Sequence, residues 1–429
     1  MNQKLTIWHV LVVVTGMLVS FCTAAIVFNI WGIFVVPVSD ELKVSAGQFT
    51  FYVAIIFIAA AFMAPLMGRL LERFDIRLVG TASVGICALG VFLGSFYTEV
   101  WQFYLSGLME GVGIIALNFL LIPTLINRWF TAGNGMLLGI CMSRTGVGGA
   151  VWNFVGGLII AGSGWRAAYF VLGIAAALAM IATLFFIRSY PRERGLEPYG
   201  KPNDDAEAGS AALRRGVSRK TAFTSAAFVL LLLAAALFNL SAQAGQYFPS
   251  YVYDLDNRGL LNAGTMGVVM AASTASVCLQ AAAAISKVVM GMIADRSLVL
   301  SALVCCGGGF AGLALLWLGG PTSTIAIFAG AALYGLTFAA VDVLAPTIGR
   351  YLFGPREYTL IYSRVTCAVN IAGAAGVTVL ATLADFGWTV AFGTTLAFIA
   401  VSLLFVLGAI RTGKRLVFTQ DDDFMQENA

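Results

Sequence analysis

The chain has 429 residues, of which 60% are apolar and 11% charged, and its mean hydropathy is +0.90. Soluble domains carry about 25% charged residues, so this composition excludes a water-soluble fold and specifies an integral membrane protein. The formal net charge of +4 is small and its residues sort by membrane side, so it marks no nucleic-acid partner.

Runs of about 20 or more apolar residues lie near 7–38, 48–67, 78–97, 100–126, 134–161 and 166–187, then near 222–253, 264–292, 298–319, 322–346, 358–384 and 388–410. Each is long enough to cross a hydrocarbon core of about 30 Å as a helix, which predicts an all-α membrane protein with twelve transmembrane helices. The first run is too long for a signal peptide and lacks a small-residue cleavage pattern, so it reads as the first span. Residues 189–221 form the one long polar interruption, with Pro191, Pro198, Pro202, Arg214, Arg215, Arg219 and Lys220. This divides the chain into an N-terminal six-helix bundle (1–188), a cytoplasmic linker (189–221) with a short surface helix expected at 206–215, a C-terminal six-helix bundle (222–411) and a cytoplasmic tail (412–429). Of 25 basic residues, Lys43, Arg166 and Arg258 fall in odd-numbered loops and Arg144, Lys287 and Arg364 within spans. The rest share one side with both termini, which the positive-inside rule makes cytoplasmic.

In chain order, the first span ends in an apolar stretch containing Asn29, a candidate cavity group. The second leads into Gly68-Arg-Leu-Leu-Glu72-Arg73, a turn whose glycine permits close packing and whose charges can link helix ends. The fourth carries Gly107, Glu110, Gly111 and Gly113, and the fifth Arg144 with Gly146, Gly148, Gly149, Gly156 and Gly157. No strand precedes these glycines, so they read as close-packing helix faces and not as a nucleotide loop. The seven cysteines lie in apolar runs without metal-ligand spacing and suggest core positions, not a disulfide framework. His9, the single histidine, stands at the mouth of the first span, where an interfacial role outweighs proton relay.

The second half repeats the first. Gly291-Met-Ile-Ala-Asp295-Arg296 follows the Gly68 turn by 223 residues, and Pro346, Phe353 and Gly387-Trp388 answer Pro123, Phe130 and Gly164-Trp165 at the same offset. Equal spacing of separate landmarks indicates duplication. Ala263-Gly264 answers Ala46-Gly47 at an offset of 217, which places about six additional residues in the eighth span, around Ala281 to Ala284.

Glu110, Arg144, Lys287, Asp342 and Arg364 lie within spans, three cations against two anions. A charge in mid-membrane costs about 2.5 to 3.5 kcal/mol on insertion scales, so an unmatched cation there invites an anion. Ser273, Ser276, Gln280 and Lys287 share one face of the eighth span, and Asn239, Gln243, Gln246, Tyr247 and Ser250 form a polar stripe on the seventh. Two such stripes suggest a common cavity. The candidate substrate-binding set is therefore Lys287, Arg364, Gln280, Gln243, Gln246, Tyr247 and Asn29. Lys287 either binds substrate or pairs with Asp342, and Arg364 either pairs with Asp342 or forms a two-cation clamp with Lys287. Glu110 and Arg144, on adjoining spans, either neutralise each other or serve gating and coupling, a role shared by Asp342 and by the turn residues Glu72, Arg73, Asp295 and Arg296.

Two six-helix halves, a long central linker and a G-x-x-x-[DE]-R turn after the second and eighth spans resemble the major facilitator superfamily over nearly the whole chain. Within it, Phe28 to Phe51, Arg128-Trp-Phe130, Thr145-Gly-Val-Gly-Gly149 and Gly164-Trp-Arg166 resemble the monocarboxylate porter and oxalate:formate antiporter branch. The resemblance implies two pseudo-symmetric bundles working by alternating access in a bacterial cytoplasmic (inner) membrane. In that branch a cation four residues before the eighth-helix turn glycine binds the substrate carboxylate, which is the place of Lys287 before Gly291. Oxalate exchangers also carry a cation on the eleventh helix, as Arg364 would supply. The chain departs from proton-coupled members in having Ala283 at a commonly acidic place and no basic residue within the first span. It also has Gly107 where many superfamily members have arginine.

The expectation is a secondary active transporter of a small organic anion, a mono- or dicarboxylate, acting as antiporter or symporter. Its expected partners are that anion, a proton or exchanged anion, and the lipid bilayer; a monomer without cofactor or metal is expected. The alternatives are a proton-driven exporter of an amphipathic drug or metabolite and a non-transporting membrane sensor or scaffold. No catalytic triad, metal cluster or phosphate loop is present in the sequence, so an enzyme is not expected.

Overall fold

The computed structural model describes residues 6–115, 117, 125, 129–130, 134–197, 199, 216–261, 264–354 and 358–413. The first half contains α1 (Ile7–Cys22), α2 (Ala24–Asn29), α3 (Val35–Leu42), α4 (Ala46–Arg73), α5 (Ile76–Leu93), α6 (Val100–Ile115) and α7 (Asn134–Phe186). After the short α8 (Arg219–Thr224), the second half contains α9 (Ala226–Ala242), α10 (Phe248–Asn257), α11 (Val268–Arg296), α12 (Leu298–Gly319), α13 (Thr324–Tyr334), α14 (Leu336–Ala339), α15 (Ala345–Phe353), α16 (Tyr358–Asp385) and α17 (Trp388–Gly413). Among the described residues, ten segments are long and apolar enough to cross a membrane. One of them, Arg144–Phe186, is two arms joined at Gly164, whose φ of +84° breaks the helix. The expected fourth span is described only in part, and the surface helix expected at 206–215 lies outside the described residues.

Polar caps set the helix starts. Ser45 and Gln48 form a reciprocal capping box at α4, Asp75 accepts from the Arg77 amide at α5, and Ser225 and Ser297 cap α9 and α12. Each satisfies amides that would otherwise be orphaned at a helix N-terminus.

The duplication is visible in local geometry. Gly164 and Gly387 both have positive φ, +84° and +117°, immediately before Trp165 and Trp388. Helices α4 and α11 are 28 and 29 residues long and end at Arg73 and Arg296. The Tyr199 amide bonds the Trp129 carbonyl at 2.8 Å and the Val217 amide bonds the Phe353 carbonyl at 2.9 Å, so the two ends of the linker dock beside equivalent landmarks. The nearly equal helix lengths correct one expectation: the extra residues of the second half are not in the eighth span. They extend the connection before it, residues 258–267, against residues 43–45 in the first half. There Gly259 and Gly264 take positive φ.

Two helix pairs make the main contacts between the halves, α7 with α11 and α4 with α16. On the side away from the termini, the first crossing of each half is broken by a 3-10 segment, Trp31–Phe34 and Gln243–Tyr247, and these segments meet. The Trp31 ring packs edge-on against Tyr247 with centroids 5.3 Å apart. The Tyr247 hydroxyl donates to the Val377 carbonyl at 2.6 Å and stands 3.3 Å from the Thr50 hydroxyl. A clasp within the first half lies farther out: Glu41 accepts from Trp165 Nε1 at 2.6 Å and from Arg166. The Arg166 hydrogen bond holds the Glu41 carboxyl below its ordinary range. On the terminus side, His9 is buried against Trp129, Phe130 and Tyr199, with Nε2 3.2 Å from the Glu197 carbonyl. The ring is thus a packing group inside the first half, where an interfacial position was expected.

The far-side closure is close enough to test with one methyl group. A Cβ at Gly32 would fall 2.1 Å from the Gln246 carbonyl oxygen, nearer than any contact permits, so Gly32→Ala must part the two segments. In a cysteine-free background, Thr50→Cys, at a position 0% exposed in this structure, should react with an impermeant maleimide several-fold faster when Gly32→Ala is added. An unchanged rate would mean that this approach does not hold the far side shut.

Candidate functional site

Lys287 lies in the last third of α11, on the side opposite the exposed apolar stripe of Ile285, Val288 and Met292. Residues two apart on a helix point about 200° apart, so the stripe turns outward and Lys287 turns inward. Its Nζ is 2.7 Å from Asp342 Oδ2 and 3.4 Å from the Thr145 hydroxyl on α7. The cation therefore touches both halves of the molecule. The pair is unequally exposed: the Lys287 side chain is 12% exposed and that of Asp342 48%.

Asp342 is delivered by a local defect. Between α14 and α15 the chain forms a π turn, Ala340–Leu344, in which the Ala345 amide bonds the Ala340 carbonyl five residues back. Pro346 has no N–H to offer the Asp342 carbonyl four residues before it, so the regular ladder fails here. Gly291 is also within reach of this turn, 3.7 Å from a Val343 methyl as measured from an added Cβ.

Three pairings left open by the sequence are decided. Lys287 pairs with Asp342, which removes the simple picture of an unmatched cation. Asp342 takes Lys287 and not Arg364 as its ion-pair partner. Arg364 is exposed on the same side of α16 as Cys367, Ile371 and Ala375, while Gly373 and Gly376 carry the face that packs on α9. Glu110 does not neutralise Arg144. At about 1.5 Å per residue, Glu110 lies about 15 Å from the far-side start of α6, whereas Arg144 lies about 30 Å from the bend at Gly164. Glu110 is 4% exposed and lines a cavity of about 10 Å³ inside the first half with Ile26, Trp31, Phe34, Tyr52 and Tyr169, on the order of one water in size. Arg144 is buried and donates to the Ser20 hydroxyl on α1.

The polar stripes are also placed differently from expectation. Ser273 and Gln280 face the glycines of α7, where a Cβ at Gly157 would meet the Ser273 hydroxyl at 2.1 Å and one at Gly149 the Gln280 amide carbon at 3.1 Å. Gln280 is 1% exposed and donates to the Asn29 carbonyl at 3.4 Å. The Ser273–Gln280 part of this stripe is a contact between the halves, because the glycines let the backbones approach until the small polar groups are covered. Asn29 donates to the Thr145 carbonyl at 2.8 Å. Gln243, Gln246 and Tyr247 are buried in the far-side closure, with the Gln243 amide nitrogen 3.4 Å from Asn239 Oδ1. Arg73, Asp295 and Arg296 are exposed at helix ends, and the Glu72 side chain lies outside the described residues. Thr145, Ser20 and the π turn were not singled out as site features in the sequence; Pro346 was the one signal for the turn.

The asymmetry of the pair predicts unequal costs. Asp342→Asn leaves a mostly covered cation without a partner and should lower stability by about 3 kcal/mol. Lys287→Gln leaves a half-exposed carboxylate and should cost about 1 kcal/mol. Thermal unfolding in detergent would measure both, and equal losses would contradict the asymmetric burial.

Residues 16–281 match the family model described as Major Facilitator Superfamily. The uncharacterized MFS-type transporter YhjX of Escherichia coli (strain K12) is 20% identical over 372 residues, 84% of this chain and 85% of that protein. Monocarboxylate transporter 12 of Mus musculus is 28% identical over 195 residues, 43% of this chain and 40% of that protein. A variant of the nucleoside transporter NupG superposes with a TM-score of 0.72 at 15% identity, covering 94% of this chain and 99% of that one. A bacterial homologue of the human lysosomal transporter Spinster, inward-facing and unoccupied, gives 0.68 at 15% identity, covering 96% and 97%. At such identities the structural likeness speaks for the fold alone. With more than half its length matched by the family model, the chain belongs to the Major Facilitator Superfamily of membrane transporters.

Proposed function

We propose that the protein is a secondary transporter of a small organic anion, a mono- or dicarboxylate, with the termini and linker in the cytoplasm. The observation that carries this reading is Lys287: an inward-facing cation in an apolar helix, touching the opposite half through Thr145, whose carboxylate partner is half exposed. A sealed pair would have favoured the exporter of an amphipathic compound. An open one is a site where a substrate carboxylate can compete. Partial similarity to monocarboxylate transporter 12 supports the same substrate class, and the basic residues gathered with the termini support the orientation. The two units of the reading are the bundles 1–188 and 222–411, which rock about the α7–α11 and α4–α16 contacts. The closed far side, with Gln243, Gln246, Tyr247 and Asn29 covered, then corresponds to an inward-open state. Those groups line the substrate path when the far side opens.

The test is binding followed by transport. Thermal-shift screening of the purified protein against formate, lactate, pyruvate, oxalate and succinate should show stabilisation by at least one, with uptake of that anion into proteoliposomes. A charge-assisted hydrogen bond is worth about 1.5 to 3 kcal/mol, so Lys287→Gln should weaken binding about tenfold to over a hundredfold. Lys287→Arg should keep part of it, since the charge remains but the donor geometry changes. Stabilisation by none of these anions, or full affinity in Lys287→Gln, would defeat the reading.

Glu110 is the candidate coupling group. Its carboxyl makes no ion pair or hydrogen bond to a described side chain and faces the small cavity in the first half. If it carries a proton during the cycle, Glu110→Gln should flatten the pH dependence of net transport while anion exchange survives. An unchanged pH profile would assign Glu110 to packing.

A further inference from the structure

We infer that Asp342 is the internal stand-in for the substrate carboxylate, and that the Lys287–Asp342 pair lets the empty carrier reorient, so that the protein performs net transport and not only exchange. The inference rests on the carboxylate reading of Lys287 and adds to it the mode of transport.

The reasoning begins from what must happen when no substrate is bound. To change the open side, the two halves close over the central region, and any cation left there alone loses its water without compensation. An empty carrier with a bare Lys287 would therefore be held in its open states, and only a loaded one would cross. Asp342 removes that restriction, because its Oδ2 sits 2.7 Å from Lys287 Nζ in the structure. The pair is formally neutral, as a lysine–carboxylate complex with substrate would be.

Three features suit Asp342 to be displaced and to return. It comes from a different helix than Lys287, so their separation is not fixed by one helical repeat. It stands in the π turn Ala340–Leu344, where Pro346 already interrupts the ladder, so moving the carboxylate does not require breaking a regular α-turn. Finally, its side chain is 48% exposed, so protein does not enclose the carboxylate that an incoming anion would release. Thr145, 3.4 Å from the same ammonium, ties the exchange of partners to the other half, where the α7–α11 contact must move.

Efflux from proteoliposomes separates the modes. Vesicles are loaded with [14C]lactate or [14C]oxalate and diluted into buffer without substrate, for net flux, or with unlabelled substrate, for exchange. For the wild-type protein, net efflux should lie within about tenfold of exchange. Asp342→Asn should bind the same probe about tenfold more tightly, since the internal competitor is gone. It should retain exchange and lose at least tenfold in net efflux. Asp342→Glu, which keeps the charge, should restore net efflux, and this rescue distinguishes a transport role from general damage to folding. A wild-type protein that exchanges but shows no net flux overturns the inference while leaving the carboxylate reading intact. So does an Asp342→Asn variant with an unchanged ratio of net flux to exchange. If wild type neither binds nor exchanges either probe, the carboxylate reading fails and this inference falls with it.

Discussion

A cation in the membrane interior must be matched where it stands, and the structure answers that requirement for Lys287 through a chain of local causes. Pro346 withholds an amide, the ladder of its helix slips into a π turn, and the turn presents Asp342 to the ammonium. On the opposite side, the glycines of α7 let α11 approach until Thr145 is within 3.4 Å of the same group. Neither half alone builds this arrangement. The pair belongs to the second half, but the third contact belongs to the first, and the position of one half relative to the other is thereby coupled to the environment of one charge.

Much of this was legible in the sequence because it depends on composition and spacing. The apolar runs gave the membrane-length segments, ten of which lie among the described residues, and the recurrence of Gly68, Pro123 and Gly164-Trp165 after 223 residues marked a repeat whose imprint reappears as two positive-φ glycines before two tryptophans. Charges inside apolar runs marked Lys287 and Asp342. What periodicity could not give is what covers a helix face. Ser273 and Gln280 do share a face, but it meets a row of glycines instead of a cavity. The small residues at Gly146, Gly149 and Gly157 were the complementary signal, since an α-helix with so little side-chain volume on one face must have another backbone against it.

Depth and direction explain the remaining differences. Glu110 and Arg144 lie on consecutive spans of the chain, yet they are offset along the membrane normal and face different neighbours. Glu110 looks into a small cavity between Trp31, Tyr52 and Tyr169, and Arg144 reaches Ser20 on α1. Arg364 and Asp342 are at similar depth, but Arg364 lies on the exposed stripe of α16, where a long side chain near a helix end can reach the polar boundary. A residue count along a helix fixes depth well and azimuth only where a recognisable apolar stripe marks the lipid side, as Ile285, Val288 and Met292 do for α11.

The far-side closure shows how such a molecule keeps two states close in free energy. Between the halves, the Tyr247 hydroxyl stands 3.3 Å from the Thr50 hydroxyl, and Gln280 donates to the Asn29 carbonyl at 3.4 Å. These are neutral hydrogen bonds, each worth only about 0.5 to 1.5 kcal/mol net, because water can replace the partner when the contact opens. The Trp31 ring against Tyr247 is the large apolar contact of this closure, and a closure built from many such contacts would be far harder to reverse, since each exposed side chain would cost about 1.5 to 3 kcal/mol. Small residues supply the proximity, as at Gly32 against the Gln246 carbonyl, and exchangeable polar groups supply modest adhesion. The closed state is thus held by contacts that a modest binding energy can offset, which is the condition for a substrate to bias which side is open.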